Sequence, residues 1–312
     1  MAPNRLERIE DYYDAVPRAA SRVEDHGPLT LFVNRGGGFP YYARPRRGWQ
    51  GPVDAGHVGA VRERQRGLGV PESFEWVAEM TPGLAGAARA AGLQVREHAL
   101  LVLDPAAWHP APPPFGTEVR LVPAEADDLA GLRAVGSLAF GAAGTAVGPA
   151  GPADSPAAAA VTAAGVAGLR EQLRAGHMVL AAAYAGGGPL AVGSHQPVGA
   201  VTEITGVATL PAARRRGLAA AVTSVLVQDA IDRGVDVVFL SAEDEDVARI
   251  YRRLGFAPIA TAMIAEPAKQ SAVRGPYSDN YRKQHLAATF PDCRHSGNLG
   301  QMKYPIAGSQ AC

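Results

Sequence analysis

The sequence predicts an α/β (α+β) architecture, a sheet flanked by helices, laid down twice along the chain. Three observations predict it. An apolar run, Ile204 to Leu210, passes through a short basic loop into a helix and on to a second apolar run, Val235 to Leu240. Strand, tight loop, helix, strand is a crossover unit, which joins parallel strands. Upstream, Met178 to Tyr184 and Leu190 to Gln196 flank Gly186-Gly187-Gly188 and read as a hairpin. Third, Phe74-Glu75-Trp76-Val77, Leu84-Ala85, Arg89 and Gly92-Leu93 echo Val237-Val238-Phe239-Leu240, Val247-Ala248, Arg252 and Gly255-Phe256. The offset is constant, 163 positions from Gly92 to Gly255, so one strand–helix–glycine–strand unit occurs twice.

Taken in order, residues 4–23 predict a helix, with Leu6, Ile9, Tyr12 or Tyr13 and Val16 on one face. Leu29 to Asn34 and Pro40 to Arg44 read as strands about a Gly36-Gly37-Gly38 turn. Val58 to Leu68 predicts a helix and Phe74 to Ala78 a strand. Pro82 to Ala91 is a helix opened by Pro and closed by Gly92, and Val95 to Leu103 a strand. Asp104 to Gly116 holds five prolines and reads as a linker. Then come a strand at Glu118 to Val122, a helix near Asp127 to Phe140, and a Gly/Pro/Ala-rich stretch from Gly141 to Pro156 that reads as a mobile loop. A helix at Ala157 to Ala175, the hairpin, the crossover unit and a last strand at Ala260 to Ala265 follow. From Pro267 no periodic face persists. Residues 267–312 read as a poorly ordered tail; the competing reading is an arm packed on a second copy of the chain in a homodimer.

Composition bounds the function. The 312 residues suffice for two domains, and 47% are hydrophobic, enough for a sizeable core. Thirty basic and thirty acidic residues give a formal charge of +0, which argues against a nucleic-acid binder. The two cysteines, Cys293 and Cys312, build no disulfide framework and fit a reducing cytoplasm. The N-terminus lacks an apolar signal core, and no apolar run approaches the ~20 residues of a membrane span. None of the eight histidines forms a convincing metal-spaced pair, so no metal is expected. Without a Gly-x-Ser-x-Gly, and with both cysteines in the tail, covalent nucleophilic catalysis is not expected.

The basic loop is the informative stretch. Ala213-Arg214-Arg215-Arg216-Gly217-Leu218-Ala219 stands at a helix N-terminus, where unpaired N–H groups and the positive dipole end favour an anion. Gly217 removes a side chain where a phosphate would approach, Ala219 keeps the first turn narrow, and the arginines add charge and forked donors. Together they describe a pyrophosphate cradle.

Arg214-x-x-Gly217-x-Ala219 after Val207-Ala208-Thr209-Leu210-Pro211, with Tyr251-x-x-x-Gly255-Phe256 further on, resembles the acetyl-CoA-binding core of the GNAT superfamily of N-acyltransferases. The resemblance covers residues 117–266, about half the chain. It implies the GNAT fold, a central mixed sheet flanked by helices. It implies backbone contacts from Val207, Ala208 and Thr209 to the pantetheine arm and thioester, and a pyrophosphate held by Arg214, Arg215, Arg216, Gly217, Leu218 and Ala219. Tyr251 is then the proton donor to the leaving thiolate, and Glu203, four residues before Val207, a base or an edge carboxylate. Ser241 would contact CoA or cap the helix near Asp244. In the first half the cradle falls near Pro45 to Gln50, where Pro45 and Trp49 spoil it, so residues 1–104 read as a degenerate GNAT-like domain, 105–116 as a Pro-rich linker and 117–266 as the catalytic domain. The expected function is direct acetyl transfer from acetyl-CoA to a primary amine of a small molecule, in the cytoplasm, with no nucleic-acid or membrane partner. The alternative is a CoA-binding regulatory module without turnover.

Overall fold

The structure, a computed structural model, describes residues 4–34, 42–142, 144–155 and 163–268. Its strands are β1 Ser21–His26, β2 Leu29–Asn34, β3 Ala43–Pro45, β4 Phe74–Val77, β5 Leu93–Leu103, β6 Glu118–Leu121, β7 Val179–Ala185, β8 Gly188–Val198, β9 Val201–Thr209, β10 Val237–Ala242 and β11 Phe256–Pro267. The helices are α1 Arg5–Arg18, α2 Ala55–Gly67, α3 Leu84–Ala90, α4 Leu129–Gly141, α5 Ala163–Arg174, α6 Leu218–Asp232 and α7 Glu245–Arg252. All eleven strands join one mixed sheet in the order β1-β2-β3-β4-β11-β5-β10-β9-β8-β7-β6. No helix among the described residues is long and apolar enough to cross a membrane.

The order explains the internal repeat. The final strand of each unit is inserted into the sheet of the other: β11 lies between β4 and β5, and β5 between β11 and β10. β5 and β11 run antiparallel, Phe256 opposite Leu103 and Pro267 opposite Leu93, so the start of each meets the end of the other. The glycine before each strand is required. Gly92 and Gly255 both have positive φ (83° and 102°), and a Cβ on Gly255 would lie 2.3 Å from the Ala107 carbonyl oxygen.

The sheet therefore does not break at the boundary expected between residues 104 and 117. Residues 105–116 do more than connect. They begin with a 3₁₀ turn, Pro105–Ala107, and then run along the second half. The His109 amide donates to the Leu254 carbonyl at 3.3 Å and the Ala111 amide to the Ser224 hydroxyl at 2.9 Å, while Trp108 and Ala111 pack on the core.

Three apolar clusters result. The largest fills the second half, and another fills the first around Trp76, Phe74 and Leu31 with Met263 and Ala265 of β11. The third sits at the seam, where Ile9, Tyr12 and Tyr13 of α1 cover Val77, Leu100, Val102, Val201, Val237 and Phe239. Both units thus share cores as well as strands.

Two further expectations change. The helix read over residues 4–23 ends at Arg18, after Pro17, and Ser21–His26 is a strand paired with β2. Its Arg22, Glu24 and Asp25 hid it, because one face of β1 is wet and its charges form ion pairs such as Arg64–Glu24 at 2.8 Å. Described parts of the stretch read as a mobile loop, 141–155, are tied to the basic loop, as detailed below. The Gly36-Gly37-Gly38 turn, residues 157–162 of the second helix, and the tail from 269 lie outside the described residues.

Candidate active site

β9 and β10 create an opening. β9 pairs with β8 along its length, but between Val192 and Ser194 the register shifts, so Gly206 and Val207 stand opposite the single residue Gly193. This is a β-bulge, with Gly206 at φ 61°. On its other side β9 pairs in parallel with β10 at three positions only: Val201–Val237, Thr202–Val238 and Glu203–Phe239. Beyond Glu203 the strands part into a V. Val207, Ala208 and Thr209 lie on one arm, and Leu240, Ser241 and Ala242 on the other. Strand backbone in such a V carries hydrogen-bonding groups without a ladder partner, available to an extended ligand. The Ser241 hydroxyl is buried on its arm and has no hydrogen-bond partner among the described residues. It does not cap α7; the Asp244 carboxylate does, accepting from the Val247 amide at 2.9 Å.

The arm of β9 leads through the 3₁₀ turn Pro211–Ala213 to the basic loop. Arg215 (φ 63°) and Gly217 (φ 82°) both adopt left-handed backbone, and α6 begins at Leu218 with no side chain capping it. Its first N–H groups therefore face outward, as anion binding requires. Leu218 is buried and anchors the first turn, and Ala219 is half-buried beside it. Two of the three arginines have a second task. Arg214 donates to the carbonyls of Ala139 (2.7 Å), Ala142 (3.2 Å) and Ala146 (3.1 Å), and Arg215 to the Thr145 carbonyl and hydroxyl. The Ala212 amide donates to Ala150 and the Gly148 amide to Pro211. The basic loop thereby straps residues 139–142 and 145–150 beside the V, and Arg216 is left exposed at its tip.

The corresponding place in the first half is built differently. Arg46 and Arg47 pair with Asp25 and Asp11. α2 starts at Ala55, and the Asp54 carboxylate caps it by accepting from the His57 amide at 3.0 Å. A carboxylate occupies the helix end where an anion would sit.

Tyr251, on α7, is 7% exposed and packs edge-on against Phe256, with ring centroids 6.0 Å apart. Burial pushes its phenol well above the usual value. Its hydroxyl has no hydrogen-bond partner among the described residues. Glu203 stands at the apex of the V, 6% exposed. Burial first, and then the Glu75 charge, push its carboxyl up to about 8, against the lowering influence of Arg44 and of the Tyr13 hydroxyl, which donates to it at 3.1 Å. Tyr13, Arg44 and Glu75 escaped the sequence reading. They lie more than a hundred positions from Glu203, and no spacing rule links them to it.

His195 has a structural explanation. It bridges Thr202 (Nδ1, 2.9 Å) and Asp229 of α6 (Nε2, 2.9 Å) and is wholly buried. Because side chains alternate along β8 and β9, this places Thr202 and α6 on one face of the sheet, with Glu203 and α1 on the other. A groove of about 620 Å³ lined by Thr117, Arg120, Asp128, Tyr184 and Pro189 lies at the β6–β7 edge and shares no residue with the V. Among the described residues no group of three His, Cys, Asp or Glu could hold a metal ion.

Comparison with known proteins agrees with this geometry. Residues 157–256 match the model of the Acetyltransferase (GNAT) family. Among solved structures, a GCN5-related N-acetyltransferase from Kribbella flavida superposes with a TM-score of 0.64 at 24% identity, covering 86% of this chain and 98% of its own. A GCN5-related N-acetyltransferase-like protein from Streptococcus suis gives 0.51 at 12% identity, covering 84% and 97%. A GCN5-related N-acetyltransferase from Sphaerobacter thermophilus gives 0.51 at 17%, covering 83% and 84%. These likenesses are of fold. No curated protein matches the chain in sequence. The matched segment, residues 157–256, contains the V, the basic loop and Tyr251, and it is this segment that is similar to the acetyltransferase domain of the GNAT family.

Proposed function

We infer that the chain transfers the acetyl group of acetyl-CoA directly to a primary amine of a small molecule. The observation that carries this reading is the V between β9 and β10, which opens at Glu203 and runs to the uncapped N-terminus of α6. Acetyl-CoA suits the residues present. Backbone groups of Val207 to Thr209 receive the pantetheine arm, and the orphaned Ser241 hydroxyl gains a partner. The N–H groups around Gly217, Leu218 and Ala219, with Arg216, receive the pyrophosphate. Arg214 and Arg215 fix the loop that does so.

The amine attacks the thioester carbonyl, Glu203 accepts the proton it loses, and Tyr251 gives one to the departing thiolate. A carboxyl held near 8 is a stronger base than an ordinary carboxylate, which matches an amine nucleophile. The phenol, held neutral by burial, keeps its proton to donate. The stretch from Phe140 to Ala150, whose residues 140–142 and 145–150 are strapped beside the V, carries no charged side chain, which suits a small, partly apolar amine rather than a polycation. The first half, with Asp54 closing its helix end, takes no CoA; residues 117–266 form the catalytic unit and 1–104 its GNAT-like partner. The reading is tested by calorimetry with acetyl-CoA, followed by thiol release over a panel of amines with acetylated products identified by mass. Acetyl-CoA binding with acetylation of at least one amine is expected. Binding without thiol release on any amine would point to a regulatory CoA-binding module, and absence of binding would overturn the reading altogether.

A further inference from the structure

The seam between the halves holds a cluster of charge that an apolar seam would not need. Arg44 of β3 and Glu75 of β4 form an ion pair at 2.5 Å, with 7% and 3% of their side chains exposed. Among the described residues Arg44 Nη1 and Glu75 Oε1 have no hydrogen-bond partner. A buried pair so incompletely satisfied is a poor stabiliser compared with apolar side chains of equal volume. Glu10 of α1 lies in the same cluster, its carboxylate accepting from the Val77 amide at 3.1 Å. Burial holds the Glu10 carboxyl above its usual value, while Arg44 and Arg47 oppose this.

The cluster converges on one ring. The Arg44 guanidinium lies 4.0 Å over the centroid of Tyr13. That ring also meets Tyr12 at 5.9 Å and, edge-on at 5.3 Å, Phe239, the residue opposite Glu203 in the last rung before the V. The Tyr13 hydroxyl then donates to Glu203. On the neighbouring position Tyr12 receives the Glu203 amide at 3.3 Å and donates to the Gln196 carbonyl at 2.9 Å. The charged and titratable groups around Glu203 are therefore Tyr12 and Tyr13 from α1, Arg44 from β3 and Glu75 from β4. All come from the first half of the chain.

We propose that the first half supplies a positioning residue to the reaction: Tyr13 holds the Glu203 carboxyl at the apex of the V, and the Arg44–Glu75 pair holds Tyr13. The proposal rests on Glu203 being the base. It gives the degenerate half a task in catalysis that needs no CoA site.

Tyr13→Phe tests it, since the ring keeps Arg44 and Phe239 and only the hydroxyl goes. The lost donor favours the charged carboxylate, so Glu203 should titrate higher by roughly one pH unit. Carbon-13 NMR of glutamate-labelled protein, with Glu203→Gln to assign the signal, reads this directly. The acidic limb of kcat/KM should move up with it, while acetyl-CoA affinity stays within about two-fold. In a Glu203→Gln background Tyr13→Phe should leave the limb where it was. Arg44→Lys, which keeps a cation over the ring, should retain the native limb, whereas Arg44→Met should raise it. A Glu203 signal that titrates identically in Tyr13→Phe overturns the positioning. A signal that moves without the limb overturns the catalytic consequence. A native protein that never releases thiol overturns the functional reading instead, and the NMR result tells that failure from the others.

Discussion

Expressed alone, residues 117–268 should not fold. In the intact chain β11 has β4 on one side and β5 on the other, and both belong to the first half. The fragment keeps β11 but neither neighbour, and β10 becomes an open edge. β5 also contributes Leu100, Leu101, Val102 and Leu103 to cores shared with the second half, all at most 5% exposed. At ~1.5–3 kcal/mol for each buried apolar side chain, their loss alone amounts to roughly 6–12 kcal/mol, an upper-range figure. Whole domains are stable by about 5–15 kcal/mol. Ile9, Tyr12 and Tyr13 of α1 are lost as well. The assay is soluble yield, size-exclusion mass and a thermal melt by circular dichroism, with residues 1–116 co-expressed from a second gene in a parallel sample. The fragment alone should be insoluble or melt without cooperativity, and the two fragments together should co-purify. A monomeric 117–268 fragment with a cooperative melt and native acetyl-CoA affinity would refute the reasoning.

The remaining predictions concern single residues and stoichiometry. Gly217→Ala places an L-residue at φ 82° and should cost ~1–2 kcal/mol in urea unfolding; Gly217→Glu should in addition abolish acetyl-CoA binding by calorimetry, and native affinity in that variant would sink the cradle assignment. Tyr251→Phe keeps the contact with Phe256 and should lower kcat by ~10²–10⁴-fold at unchanged acetyl-CoA affinity; where chemistry limits turnover, an unchanged kcat removes Tyr251 from the mechanism. Glu203 keeps its proton to about pH 8 when folded, against a usual value of 4.5, so the folded state binds more protons in between and stability falls as pH rises through that window. Glu203→Gln should remove that fall; equal slopes of urea midpoint against pH in both proteins would contradict it. Because Asp54 closes the first-half helix end, calorimetry should return one acetyl-CoA per chain, and two would refute that account.

The legible parts of the fold were those with local causes. The helix at Leu84–Ala90 has Pro82 before it and Gly92 after it, and β10 opens with the unbroken apolar run Val237 to Leu240, so both followed from short-range rules. The basic loop was legible for the same reason, since Arg214 to Ala219 is contiguous. The strand exchange was not. Val95 to Leu103 reads as the same strand whether it pairs within its own half or inside the other, because side-chain alternation records burial and not the identity of the neighbour. The repeat at offset 163 showed two copies of the unit, but nothing in either copy says where its last strand goes. Glu203 follows from the resemblance to the GNAT superfamily, whereas Tyr13, Arg44 and Glu75 meet it only through the tertiary fold. The loop arginines were read as three charges for a phosphate. The structure divides the work, because Arg214 and Arg215 have carbonyls of residues 139–146 within reach and Arg216 does not.

The exchanged strands also explain which parts of the first half could change and which could not. Residues 45–54 border no part of the second half's sheet, and their own pairs, Arg46–Asp25 and Arg47–Asp11, hold them in place. A phosphate cradle there could be replaced by a capped helix start without disturbing the other half. β4, β5 and α1 have no such freedom. β4 and β5 flank β11, β5 completes the edge of β10, and α1 covers Phe239 at the rung from which the V opens. Substitution at Leu101 or Val102 therefore acts on the second half as directly as substitution at Val238 would. The sequence echo follows the same division: it is clear from Phe74 to Leu93, where both copies must build interlocking strands, and faint at Pro45 to Gln50, where the first copy has a carboxylate-capped helix start and the second an uncapped one.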